Sequence, residues 1–211
     1  MTADAVSDAP FFRSGGCSVV THPGDVVHIL EPQLQVCSWQ RPIDDQVEEW
    51  LRLRAPAVGR RTLEILDSGA KPTLDTLPDD PERSAFAEDL AMLGELFCDL
   101  LGCPSYGLRV AHVSDAMCPG WHIDKVTLRI VCTYCGPGTQ WLTDQTVSRD
   151  LLREPTASLG SCENAAVGDV VFLKGAGWPG NERYGAIHRS PQLPSATGLR
   201  TVVTLDPMWG G

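Results

Sequence analysis

Three residues of this chain have the types and the order of a metal-binding set. His122 and Asp124 stand two apart, and His188 follows His122 by 66 residues. Two imidazoles and one carboxylate can hold one face of a divalent ion and leave the opposite face open. Hard oxygen and borderline nitrogen donors suit Fe(II), Mn(II) or Zn(II), and with positions left open the set is that of a non-haem Fe(II) centre. Arg200 lies 12 residues beyond His188. A guanidinium there can pair with the carboxylate of an anionic co-substrate through two parallel hydrogen bonds. Arg189, Arg129 and Lys174 are rival anchors for the same anion. Cys118, four residues before His122, reads as a buried turn cysteine; as a ligand it would favour zinc or copper over iron, because thiolate selects softer metals.

Such ligands need rigid elements to hold them. In a strand, His122 and Asp124 would share one face. The triplet lies between the turn Met117-Cys118-Pro119-Gly120 and an apolar strand, and His188 stands at a strand end. From residue 103 onward, short strand-like segments are divided by Gly and Pro: Leu108–Val113, Val126–Cys135, Thr139–Leu142, Asp169–Leu173, Ala186–His188 and Leu199–Leu205. That pattern predicts an all-β barrel or sandwich. Before it, Asp44–Arg54 predicts a helix capped by Asp44 or Asp45. Phe86, Leu90, Leu93, Phe97, Leu100 and Leu101 recur at helical spacing. Asp80 and Pro81 open that second helix and Gly102 closes it. Residues 67–82 read as a loop, and residues 1–40 as a strand or two, or an irregular wrap. The fold class is mainly β with N-terminal helices (α+β). The division expected is 1–102 as extension and supporting helices and 103–211 as a metal-binding core.

Composition narrows the partners. A formal net charge of −10 over 211 residues argues against nucleic acid and anionic membrane, which both need a basic field. Met1–Ser14 has no apolar run of the secretory kind, so a cytoplasmic location is expected. The eight cysteines then read as thiols rather than a disulfide framework. Cys98 belongs to a helix core. Cys132 and Cys135 fall in a strand, where alternation puts them on opposite faces. Gly136-Pro137-Gly138-Thr139 reads as a hairpin turn. The Gly-rich stretch Lys174–Asn181 has no phosphate-loop pattern. It reads as a loop bordering the site, with Trp178 and Asn181 as substrate contacts, or as a flexible surface loop. His22, His28 and His112 read as structural or surface residues, and Trp121 as a wall of the site or a core residue.

The segments Cys118–Asp124, Leu128–Leu142 and Leu173-Lys174-Gly175 through Trp178–Asn181 to Ala186–Pro191 resemble the bacterial domain-of-unknown-function family numbered 1826. The match covers residues 100–206 well and the N-terminal half weakly. More broadly, the order HxD, His, Arg looks like the Fe(II)/2-oxoglutarate-dependent oxygenase superfamily, whose fold is a double-stranded β-helix (a jelly-roll barrel). That resemblance implies His122, Asp124 and His188 as metal ligands and catalytic centre. It implies Arg200 as the partner of the far carboxylate of 2-oxoglutarate, with Thr133, Tyr134 or Thr204 adding a hydroxyl and Lys174 as an alternative anchor. Where the superfamily often has Ser or Thr two residues after the arginine, this chain has Val202. The activity implied is oxidation of a small molecule or a peptide side chain by O2, with 2-oxoglutarate converted to succinate and CO2. The alternatives are a zinc- or other metal-binding homeostasis protein on the same fold, and an interaction module that keeps the barrel alone. Sequence leaves the oligomeric state open.

Overall fold

Apolar side chains recurring every three or four residues between Phe86 and Phe97 become the buried stripe of one long helix, and that helix covers a large sheet. The computed structural model of the protein describes residues 16–54, 61–143, 149, 161–193 and 198–209. The expected N-terminal stretch Met1–Ser14 lies outside them. The elements run β1 (Gly16–Val20), a 3-10 helix (Pro23–Leu30), β2 (Leu34–Trp39), α1 (Asp45–Arg54), β3 (Arg61–Asp67), α2 (Pro81–Leu101), β4 (Ser105–Val113), β5 (Leu128–Cys135), β6 (Gln140–Leu142), β7 (Glu163–Asn164), β8 (Val170–Lys174), β9 (Ile187–Arg189) and β10 (Arg200–Met208).

Both α-helices fall where periodicity places them. Asp44 accepts a hydrogen bond from the Gln46 amide and caps α1. Pro81 opens α2, and Gly102 closes it in the left-handed conformation, its N–H bonded to the Cys98 carbonyl. Asp80, expected to cap α2 through its side chain, does not; its carboxylate instead accepts the Trp50 indole N–H at 2.9 Å and ties α1 to α2. Gly94 is where α2 crosses closest, since a Cβ there would stand 2.1 Å from the Tyr106 ring.

The strands form two sheets: a seven-stranded one ordered β1-β2-β8-β5-β10-β4-β3 and a three-stranded one ordered β7-β6-β9. All pairings are antiparallel except β1 with β2. These pairings define two sheets rather than a closed barrel. Strands β1, β2 and β3, from before residue 103, extend the large sheet on both sides. Alternation along the central strands splits their side chains between two cores. Leu108, Val110, Ile130, Cys132, Val170, Phe172, Val203 and Leu205 pack with the helices. Ala111, Val131, Val171, Leu173 and Val202 pack with Trp141 of the small sheet. The second, inner face carries the site.

Two local expectations change. Gly136–Thr139 is not a hairpin that returns β5 along its own sheet; it carries the chain from the large sheet to β6 in the small one. Gly136 has a positive φ of 84°, and a Cβ there would meet the Leu199 carbonyl oxygen at 2.2 Å. The β5–β10 register also shifts between Thr201 and Val202, so that Cys135 faces Thr201 while Thr133 faces Val202. This bulge interrupts the alternation from which opposite faces were expected for Cys132 and Cys135. Both are buried and free. Among the described residues no helix is long and apolar enough to cross a membrane.

Candidate metal centre

His188 sits on β9, and His122 is locked to it by a two-residue antiparallel bridge. Each backbone N–H donates to the other's carbonyl at 3.0 Å. Their rings lie 4.4 Å apart. His122-Ile123-Asp124 is therefore not a regular strand. What holds it is a backbone bed supplied by the Gly-rich loop: Gly175 N–H donates to the Thr127 carbonyl, Ala176 N–H to the Asp124 carbonyl and Gly177 N–H to the Val126 carbonyl, at 2.8, 2.8 and 3.0 Å. A Cβ on Gly175 would stand 2.0 Å from the Val126 oxygen, and one on Gly185 would stand 2.4 Å from the Ile123 side chain. Glycine lets the two segments approach to hydrogen-bonding distance. Asn181, fully buried, donates to the Gly175 carbonyl and braces the loop from within. The Lys174–Asn181 stretch is thus the support of the HxD segment.

The ligand atoms of His122, Asp124 and His188 all lie within 4.8 Å of one another. The two imidazole Nε2 atoms point at the carboxylate, His122 at 3.6 Å from Oδ1 and His188 at 3.4 Å from Oδ2. Both Nδ1 atoms face backbone carbonyls, Gly120 O at 2.9 Å and Ala186 O at 3.0 Å. A carbonyl only accepts, so Nδ1 is the donor on each ring and Nε2 is the atom turned to Asp124 and left to meet a metal. Arg129 donates to Asp124 Oδ2 at 2.6 Å and grips both oxygens of Asp206 at 2.7 and 2.8 Å. Burial alone would raise the Asp124 pKa; the His188, Arg129 and His122 partners outweigh it and hold the carboxyl at about 2. Asp124 is thus an anion with one oxygen tethered and the set is N,N,O. The Cys118 thiol lines the same cavity but is not one of the three converging groups.

Of the expected co-substrate residues, Arg200 and Thr133 come together at the site. Arg200 is 2% exposed. It donates to the hydroxyls of Thr133 at 3.1 Å, Thr139 at 2.8 Å and Ser190 at 3.3 Å. No described carboxylate pairs with it, and its Nε is buried without a partner. Burial lowers its pKa to about 10, leaving it a cation at neutral pH. Tyr134 and Lys174 do not reach the site. Tyr134 packs among the helix-side residues and donates to Asp89, and the Lys174 ammonium donates to the Glu31 carbonyl at 2.9 Å. Arg189 lies over the Trp121 ring at 4.2 Å and donates to Gln140. Thr204 and Arg109, across from each other on β10 and β4, complete the lining of a cavity of about 100 Å³ that also contains His122, His188 and Arg200. Arg109 was not singled out from the sequence. The signal available was a lone charge between Leu108 and Val110, at the phase of the inner face.

The family model described as "Protein of unknown function (DUF1826)" matches residues 20–206. The chain belongs to this family. No curated protein sequence matches it. Among solved structures, the chain is similar to the Arabidopsis thaliana dioxygenase for auxin oxidation 1 in its complex with 2-oxoglutarate. There the TM-score is 0.55 at 9% identity, covering 93% of this chain and 94% of that one. It is also similar to a Shewanella oneidensis protein provisionally assigned as an oxygenase, with TM-score 0.51, 12% identity and coverage of 91% and 88%. A third is JOX2, solved with 2-oxoglutarate, iron and JA, with TM-score 0.50, 11% identity and coverage of 92% and 77%. At these identities the likeness is one of fold, shared with two structures solved with 2-oxoglutarate.

Proposed function

We propose that the protein is an Fe(II)/2-oxoglutarate-dependent dioxygenase acting on a small molecule or a peptide side chain. The two sheets would be the halves of a double-stranded β-helix centred on residues 103–211. The observation that carries the reading is a single cavity, lined by His122, His188 and Arg200, on which both parts of such a site border. One part is a His122, Asp124, His188 set with both Nε2 atoms turned to the carboxylate. The other is the buried cation of Arg200, which only hydroxyl groups contact. A buried guanidinium without a counter-ion is costly, and a carboxylate offered to it would complete it with a charge-assisted pair. His122, Asp124 and His188 would hold the iron. Iron bound there would supply the centre at which O2 and 2-oxoglutarate give succinate and CO2 while one oxygen atom enters a substrate C–H bond. Arg200 would take the far carboxylate of the co-substrate, with Thr133 and Thr139 fixing the plane of the guanidinium; these two hydroxyls fill the place that Val202 leaves apolar. Arg129 would keep Asp124 ionised and oriented. The donor set has no thiolate, so nothing at the centre favours the zinc alternative over iron.

Anaerobic addition of Fe(II) and then 2-oxoglutarate is expected to produce a weak visible charge-transfer band. Arg200→Ala should lose it, and Arg189→Ala should keep it. A wild-type protein that binds Fe(II) in a 1:1 ratio and yields no band with 2-oxoglutarate would overturn the assignment.

A further inference from the structure

Arg200 accounts for one anion. A second cation facing the same cavity is unassigned. Arg109 stands on β4 with its Nε buried and without a partner, and no described residue forms a hydrogen bond or ion pair with it. Asp206, two residues along β10 from the residue opposite Arg109 and on the same face, has both oxygens taken by Arg129. Directly across from Arg109 on β10 is Thr204, whose buried hydroxyl also lacks a partner. Two polar groups, side by side on one face and both without a protein partner, are available to a hydrogen-bonding ligand.

The register shows what lies beyond them. On the other side of Arg109, the edge strand β3 places Leu63 directly opposite, and Ile65 opposite Gly107. These two side chains point to the same inner face as Arg109 and are 65% and 67% exposed. The other face of β3 is occupied differently: Glu64 turns to the loop amides of Thr73 and Leu74. Met208 at the end of β10 is likewise exposed and approaches Gly107. On the inner face Arg200 and Thr204 thus lie four residues apart on β10, Arg109 lies across from Thr204 on β4, and the exposed apolar strip lies beyond Arg109 on β3.

We propose that the primary substrate is a small amphipathic organic acid, its carboxylate held by Arg109 and Thr204 and its apolar body lying along Leu63 and Ile65. The inference rests on the oxygenase reading, which leaves Arg200 to the co-substrate. A carboxylate has two oxygens for a guanidinium and a hydroxyl to share, and the apolar strip matches a hydrocarbon rather than a sugar or a peptide backbone. Arg109 is a binding and specificity residue in this scheme; it takes no part in the chemistry at the metal.

The test uses the full chain loaded anaerobically with Fe(II) and 2-oxoglutarate. It titrates straight-chain acids from butanoate to decanoate, each against the alcohol of equal length, by calorimetry. At least one acid is expected to bind tenfold or more tightly than its alcohol. Arg109→Ala should remove that difference, Arg109→Lys should restore part of it, and Leu63→Glu should weaken the same acid about tenfold. The charge-transfer band with 2-oxoglutarate should survive in Arg109→Ala, which also reports that the variant is folded. If no acid outbinds its alcohol, or if Arg109→Ala binds the acids as the wild type does, the substrate proposal fails while the band still stands for the oxygenase reading. If Arg109→Ala abolishes the band and Arg200→Ala does not, Arg109 is the co-substrate anchor and the proposal is overturned. If wild type shows no band yet binds an acid through Arg109, the anion site stands and the oxygenase reading falls.

Discussion

Arg129 is the residue through which the metal centre and the fold are joined, and Arg129→Met separates the two. The guanidinium makes one hydrogen bond to the ligand Asp124 and two to Asp206, all between 2.6 and 2.8 Å. Its side chain is 18% exposed, so the pair belongs between surface bridges, worth ~0–1 kcal/mol, and buried ones, whose breaking costs ~3–5 kcal/mol. A loss of about 2 kcal/mol of stability is expected, because methionine fills the space and leaves two carboxylates facing each other's field. The effect on metal affinity has a different origin: an outer partner that orients a ligand is worth roughly 10–100-fold in affinity. Adding Asp206→Asn to Arg129→Met distinguishes the two effects. The double variant should recover most of the stability, since the excess anion is gone. It should not recover the affinity, since Asp124 still lacks its tether. Urea unfolding of metal-free protein reads the first quantity and anaerobic Fe(II) titration the second. Unchanged affinity in Arg129→Met, or recovery of affinity together with stability in the double variant, would refute the reasoning that Arg129 acts on the metal through the orientation of Asp124.

Gly175→Ala drives a methyl into the Val126 carbonyl at 2.0 Å, so about 3 kcal/mol of overpacking is expected, with Fe(II) affinity falling alongside. Gly120→Ala points into open space and should leave both unchanged, as urea midpoints and metal titration would show. His112 gives a pH dependence: it is buried, hydrogen-bonded to Thr201 at 3.0 Å, and burial lowers its pKa from 6.5 to about 4. The unfolded chain takes up this proton near pH 6.5 and the folded chain only near pH 4, so the fold loses stability as pH falls through that window, by up to about 3 kcal/mol. Wild-type and His112→Gln proteins compared by urea unfolding at pH 7 and pH 4.5 should differ in slope by that order, and equal slopes would mean that His112 is not buried neutral.

The parts of this molecule legible from sequence were those set by one local period or one short spacing. The α2 stripe, the Gly102 cap, the segments that become β4, β5 and β10, and the HxD triplet with its distant His all belong to that class. What depended on a second segment was not legible. Gly175 and Gly185 look like ordinary loop glycines until the HxD backbone lies against them. The bulge opposite Thr201 moves Cys135, yet it exists only in the pairing of β5 with β10. The 3-10 helix Pro23–Leu30 falls in the stretch 1–40 that reads as a strand or two, or an irregular wrap, because its few apolar residues carry no period long enough to tell these apart. The superfamily resemblance implies Tyr134 and Lys174 at the site, whereas strand phase sends both to the helix side. Arg109 is the opposite case: its importance comes from lacking a side-chain partner, which only the assembled cavity shows.

The sign of the whole chain and the sign of the cavity oppose each other, and the reason is one of distance and dielectric. The formal charge is −10, but charges on the surface are screened within roughly 8 Å at physiological salt, and buried ones are not. Of the four arginines that line the cavity, Arg129 is shared by Asp124 and Asp206, while Arg109, Arg189 and Arg200 have no described carboxylate partner. A bound divalent ion adds positive charge, and a dianionic co-substrate does no more than offset it. The site therefore stays cationic when loaded, so a second small anion enters it with the field rather than against it. An acidic exterior disfavours long polyanions, whose charges span the surface, yet leaves a small acid free to bind, because only the groups within a few ångströms of its carboxylate decide its energy.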